Sequence, residues 1–251
     1  MPDAIRVVEL GKTFHRRGAA PVRAVDGLTF SVPRGRIFGL LGPNGAGKTT
    51  TLRILTTLIR PTSGSAEVSG IDVVRDPLAV RKRIVVVVQE NAAEIFLTVR
   101  DNLLTFGRFH GLSGADLKRR VDRAMEQFGL TADASRKAMD LSGGFRRRIQ
   151  VAKALLEDTP VVFLDEFSTG MDPILKRSIM ELLRAHAAAG RTIVLTTQIL
   201  SEAEALCDDI LIMKNGREIA RGDVETIKAL SATHNATLED VFVELMREEP
   251  Q

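Results

Sequence analysis

At 251 residues, 44% of them hydrophobic, the chain can build a substantial core as one large α/β domain or two small ones. A formal charge of +3, from 35 basic and 32 acidic residues, excludes any demand for a polyanionic partner, and without Trp or Tyr there is no aromatic platform for stacking single-stranded nucleic acid. The only cysteine, Cys207, excludes an intramolecular disulfide and fits a reducing cytoplasm, and the longest strongly apolar run, Ile84 to Val88, is too short to cross a membrane.

Taken in chain order, IRVVEL, LTFSV and RIFGLL read as strands, and KTTTLRILTTLI, after a glycine-rich turn, reads as a helix. The turn from Pro61 to Gly64 leads into the strand SAEVSG. IVVVV is apolar throughout, as a strand buried on both faces of a parallel sheet must be. From about Thr98 to Glu157 the pattern is helical, in TVRDNLLTFGRFHG, ADLKRRVDRAMEQFGL and FRRRIQVAKALLE. Alternation then resumes with the strand VVFLD, a helix from near Pro173 and the strand TIVLTT, and an Asn215-Gly216 turn joins DILIM to REIARG in a hairpin. An amphipathic LEDVFVELMRE closes the chain. With no repeat or low-complexity linker, the pattern predicts one domain: a core over about 1–90 and 158–222, a helical subdomain over about 91–157, and a helical tail over about 223–251.

Residues 42–49, Gly-Pro-Asn-Gly-Ala-Gly-Lys-Thr, fit the phosphate-loop pattern and stand where it works, after a strand and opening a helix. Glycines let successive backbone N–H groups point into one concavity, and the helix N-terminus adds partial positive charge. Gly42, Pro43, Asn44, Gly45, Ala46, Gly47, Lys48, Thr49 and Thr50 are therefore the candidate phosphate contacts, with Lys48 reaching the β- and γ-phosphates and the Thr49 hydroxyl available to Mg²⁺. The strand VVFLDE delivers two carboxylates to its carboxyl end. Asp165 is the candidate magnesium ligand and Glu166 the general base; capping of the next helix is the competing use of such acids.

Leu141-Ser-Gly-Gly-Phe145, before a basic helix, resembles the signature of ATP-binding cassette (ABC) ATPases. The resemblance runs from about Ile5 to Arg247 and implies a P-loop NTPase α/β fold: a mixed central sheet, an antiparallel β subdomain and an inserted helical subdomain. It implies ATP and Mg²⁺ as cofactors, and a second ATPase subunit, a like copy or a close paralogue, whose signature closes over the γ-phosphate held here while Ser142, Gly143 and Gly144 close over the one it holds. By the same resemblance Gln89 touches Mg²⁺ and the attacking water, residues 168–172 cross the dimer interface, and Phe14 stacks on adenine. Two positions depart from the family pattern. Gln198 stands where a histidine usually contacts the γ-phosphate, and Phe145 where the signature usually has Gln. Glutamine can orient phosphate or water but cannot become a cation, and with Lys48, Asp165 and Glu166 present hydrolysis is expected to be retained, with Gln198 in the switch role.

Members of this family with other work usually carry two cassettes or a long coiled coil; one cassette without one resembles a transporter subunit. The TTQ segment with its EA-rich helix, and the tail ATLEDVFVELMRE, resemble drug-exporter-type cassettes. The expected partner is a separate integral membrane permease docking on Gln89 to Thr98, which would hold the chain peripherally on the cytoplasmic face of the membrane. A soluble regulatory or nucleic-acid-associated ABC ATPase is the alternative. The basic clusters 81–83, 118–120 and 146–148 read as solvated helix faces and not as nucleic-acid patches, and the four histidines are too scattered for a metal site.

Overall fold

A computed structural model describes residues 3–15, 18–87, 93–231 and 236–247. Alternating buried and exposed residues build β1 (Ile5–Phe14) and β2 (Val22–Val32), which pair antiparallel. With β4 (Ser63–Val68) and β5 (Ile71–Asp72) they form a four-stranded antiparallel sheet in the order β2-β1-β4-β5. Both long strands run past the apolar stretches that reveal them in sequence. In β1, Glu9 takes a left-handed φ of 47° and the register shifts between Val7 and Leu10, a bulge that lets pairing continue through the polar residues that follow.

The second sheet contains β3 (Ile37–Leu41), β6 (Ile84–Val87), β7 (Val161–Asp165), β8 (Thr192–Thr197), β9 (Asp209–Lys214) and β10 (Arg217–Gly222), in the order β10-β9-β3-β8-β7-β6. All neighbours are parallel except β10, which returns on β9 through Asn215 (φ 50°) and Gly216 (φ 81°), the two positive dihedrals of a type I′ turn. One face sends Phe38, Leu40, Val161, Phe163, Val194 and Leu211 into a core shared with the antiparallel sheet and with α1 (Lys48–Leu55). The other sends Ile37, Leu41, Val162, Leu164, Ile193 and Leu195 into a second core covered by helices. Two buried faces are why these strands are apolar throughout.

The short helix α2 (Pro77–Arg81), capped by the Asp76 side chain, precedes β6. Between the neighbouring strands β6 and β7 the chain inserts α3 (Val99–Phe109), α4 (Gly114–Gln127) and α5 (Gly143–Leu156). Then follow α6 (Pro173–Ala188), α7 (Leu200–Leu206), α8 (Val224–Lys228) and α9 (Leu238–Arg247). Helix starts are fixed by side-chain caps, Thr98 Oγ1 accepting from Asp101 N at 3.0 Å and Asp172 Oδ1 from Leu175 N at 2.9 Å, each worth about 1 kcal/mol. One expectation is corrected: the 146–148 cluster is not a solvated face throughout, because Arg147 is only 4% exposed.

Candidate active site

Three adjacent strands of the mixed sheet end at one level. Leu41 of β3 lies opposite Thr197 of β8, and Thr196 opposite Asp165 of β7. Gly42, Gln198 and Glu166 therefore leave the sheet side by side at its carboxyl edge, where open parallel sheets bind ligands. Strand β6 adjoins on the far side, with Val87 opposite Leu164; Gln89, two residues further on, lies outside the described residues.

The loop from Gly42 to Lys48 has a conformation that favours glycine at three points, with φ of 150° at Gly42, 82° at Gly45 and 105° at Gly47. A Cβ at Gly42 would collide with the Met213 carbonyl, and one at Gly47 with the Ala24 carbonyl; at Gly45 it would meet nothing within 4 Å. The hairpin turn braces the loop: Gly216 N donates to Ala46 O at 3.0 Å, and Gly216 O accepts from Asp26 N of β2 at 2.9 Å. Pro43, Asn44 and Gly45 form the exposed rim. Lys48 opens α1, is 5% exposed, and donates from Nζ to Gly42 O at 2.7 Å and Pro43 O at 3.0 Å. Burial holds its ammonium below the usual lysine range, and the charges of Glu166 and Asp165 act against that shift, so both carboxylates lie within electrostatic reach of it. Thr49 and Thr50 are half-buried, and among the described residues their hydroxyls hold no hydrogen bond.

Asp165 is 4% exposed, and its Oδ1 accepts from the Thr196 hydroxyl. Glu166 follows in a left-handed conformation, φ 46°, with its N–H donating to Thr196 O at 3.1 Å and Oγ1 at 3.2 Å. A non-glycine residue held there costs roughly 1–3 kcal/mol and persists only where surrounding bonds over-determine it. Gln198 is exposed immediately beyond β8.

Ser142 caps α5, its Oγ accepting from Phe145 N at 3.2 Å. Ser142 and Gly143 are exposed, and a Cβ on Gly143 would meet nothing within 4 Å. Gly144 instead packs on the loop that follows Glu166, where a Cβ would collide with the Gly170 carbonyl. Phe145 packs beneath Arg148, whose guanidinium carbon lies 4.8 Å from the ring centroid. Phe14, 40% exposed, ends β1 opposite Val22, with Lys12 Nζ 5.1 Å from its ring centroid. Val22 stands two residues, roughly 7 Å of strand, from Ala24, whose carbonyl borders Gly47.

Three partners of this edge escaped the sequence reading: Thr196, Glu202 and Arg147. Glu202, 3% exposed, accepts from Ser168 Oγ at 2.6 and 2.7 Å and from Thr197 Oγ1 at 3.3 Å, and pairs with Lys176 Nζ at 2.5 Å. It thus ties the loop after Glu166 to the strand end before Gln198. A signal existed for two of the three: Glu202 is spaced four residues from buried Leu206, and Arg147 four from buried Val151, the spacing of one helix face.

A glycine-rich loop opening a helix, two strand-end carboxylates and a capped glycine turn on an inserted helix are the arrangement of the P-loop cassette class. The ABC transporter family model matches residues 25–169, and the chain belongs to that family. It is 46% identical over 208 residues to the daunorubicin resistance ATP-binding protein DrrA3 of Streptomyces coeruleorubidus, covering 82% of this chain and 66% of that protein. It is 45% identical over 198 residues to the Nod factor export ATP-binding protein I of Ralstonia nicotianae, covering 79% and 62%. The chain thus spans less than two thirds of the length of these relatives. A solved ATP-binding subunit of an ABC transporter superposes with a TM-score of 0.87 at 28% identity, covering 97% of this chain and all of that one.

Proposed function

We propose that the chain binds Mg·ATP on Gly42–Thr50 and hydrolyses it, as the ATP-binding subunit of an exporter. The observation that carries this reading is the meeting of loop, carboxylates and Gln198 at the ends of three neighbouring strands. Magnesium fits the donor set: the Thr49 hydroxyl and the Asp165 carboxylate are hard oxygens, and this ion takes one or two carboxylates beside phosphate and water. When bound it would offset charge on the transferring phosphoryl group. Lys48 balances the same charge, Glu166 orients the attacking water and accepts its proton, and Gln198 hydrogen-bonds phosphate or water without adding charge. Gln89 joins this set as a magnesium and water contact, and Phe14 stacks on the base.

Ser142, Gly143 and Gly144 are assigned to the γ-phosphate held by a second copy, which makes two composite sites in an isologous dimer. Residues 91–157 act as the helical subdomain that carries this turn, and 1–90 with 158–222 as the core. Purified chain is expected to bind Mg·ATP and release phosphate slowly, as measured by calorimetry and a phosphate assay; a chain that binds no nucleotide would overturn the reading.

Among the described residues no helix is long and apolar enough to cross a membrane, and the permease is proposed as a separate polypeptide. Its docking surface is the junction of core and helical subdomain, where Ile95, Phe96 and Met139 are 41%, 72% and 50% exposed and Met139 N donates to Ile95 O at 2.9 Å. A photocrosslinker at Phe96 is expected to capture a polytopic membrane protein from detergent extract, and one at Arg217 on the hairpin is not. Capture at Arg217 alone would move the docking site. Binding energy for the closed dimer would then bias the permease, and hydrolysis would reset it. The relatives named for drug resistance and Nod factor export support the outward direction.

A further inference from the structure

Arg147 lies on the buried face of α5, five residues after the signature serine. Its guanidinium reaches across to the exit of β7. Nη2 donates to Asp165 O at 2.5 Å and Glu166 O at 2.7 Å, Nε donates to Phe167 O at 3.0 Å, and Nη1 donates to Gln150 Oε1 at 2.8 Å. Successive carbonyls of a strand point to opposite sides, so three can converge on one cation here only because the chain leaves β7 at the left-handed Glu166. The opposite side of the same turn is held by Thr196 of β8, through the Glu166 N–H. The backbone turn that carries the Glu166 side chain is therefore held between a strand of the core and a cation carried by the signature helix. Hydrogen bonds from a charged donor are stronger than neutral ones, and a guanidinium presents a planar fork that a lysine ammonium cannot reproduce. Gly144, one helical turn earlier, rests on Gly170, so α5 meets the segment 165–170 at both ends.

We propose that Arg147 is a positioning residue for ATP hydrolysis, holding the Glu166 turn in its productive conformation and transmitting the placement of α5 to the base. This rests on the assignment of Glu166 as general base. A displacement of α5 relative to β7 changes the three carbonyl bonds together, so turnover responds to the helical subdomain while nucleotide affinity, which depends on the Gly42–Thr50 loop, does not.

The test compares wild type, Glu166→Gln, Arg147→Lys and the double variant, each as the purified chain. Wild type against Glu166→Gln judges the base assignment alone. Given an active wild type, Arg147→Lys is expected to lower kcat about 10- to 100-fold, the usual cost of roughly 1 Å of misplacement, with KM and nucleotide Kd within about twofold. In the Glu166→Gln background it is expected to lower residual turnover no further, because the two residues act through one step. Amide exchange of the peptide over 164–170 is expected to speed up about tenfold in Arg147→Lys, with β3 and β8 peptides unchanged, and this readout judges the grip even in an inactive wild type. Where the lysine variant fails to fold, Gln150→Met, which removes the Nη1 acceptor, gives the same pattern at smaller amplitude. Wild-type kcat in Arg147→Lys, an equal further loss in the Glu166→Gln background, or unchanged exchange over 164–170 would each overturn the proposal.

Discussion

Glu166→Gln is expected to lower ATP turnover about 10²- to 10⁴-fold, the contribution of a positioned general base, and to leave Mg·ATP affinity within about twofold. Glutamine matches glutamate in shape, so the half-buried site is neither emptied nor overpacked. Two bonds that hold the turn are to backbone: Thr196 accepts from the Glu166 N–H, and Arg147 donates to the Glu166 carbonyl. Neither depends on the carboxylate, and glutamine has no greater difficulty than glutamate at φ 46°. Lost turnover with retained binding would then report chemistry and not structure. Phosphate release and calorimetric binding, run on the same preparation, separate the two quantities. Equal turnover in both proteins would remove Glu166 from the reaction.

Gly47→Ala is expected to abolish nucleotide binding and to destabilise the fold by roughly 2–6 kcal/mol, adding roughly 1–3 for strained backbone to roughly 1–3 for overpacking. The added methyl would strike the Ala24 carbonyl, and its Cβ would lie 3.3 Å from Met213 Cε. Neither side can easily yield, since β2 is paired to β1 along most of its length and the loop is bonded through Ala46 O to Gly216. Gly45→Ala is the control: φ is also positive there, at 82°, but the Cβ would have open space, so only the conformational cost of about 1–2 kcal/mol applies. Thermal unfolding and nucleotide titration of the two variants should rank Gly47 well above Gly45. Equal losses would mean that steric contact with β2 does not shape the loop.

The phosphate loop and the strand-end carboxylates are legible in sequence because each is a local device: an apolar strand, a turn that needs glycine, and a helix start within a few residues. The inserted helices α3 to α5 are legible for the same reason, from their periodicity. The length of β1 is not, because its second half is held by pairing across a bulge and not by its own apolar residues. Nor is the grip of Arg147. A run of three arginines on a helix looks solvated; the spacing from Val151 can hint that the middle one faces inward, but only the packing of α5 against the exit of β7 supplies the carbonyls it holds. Glu202 is hidden similarly, since the hydroxyls of Ser168 and Thr197 and the ammonium of Lys176 that permit its burial come from three separate elements. Gln198 is plain in sequence as a departure from the family pattern, and its exposed position beyond β8 leaves room for a ligand group beside it.

We propose that one copy's Ser142–Gly144 turn completes the site of another. The most direct test is the solution mass of Glu166→Gln, in which nucleotide binds without turning over, measured by light scattering with and without Mg·ATP. The mass is expected to double from 27.4 kDa when Mg·ATP is added. With Gly143→Asp added it is expected to stay at the monomer value, because the position has open space for the side chain while its carboxylate would repel the γ-phosphate. A mass that does not change with Mg·ATP, or a Gly143→Asp protein that dimerises as well as its parent, would contradict the composite site.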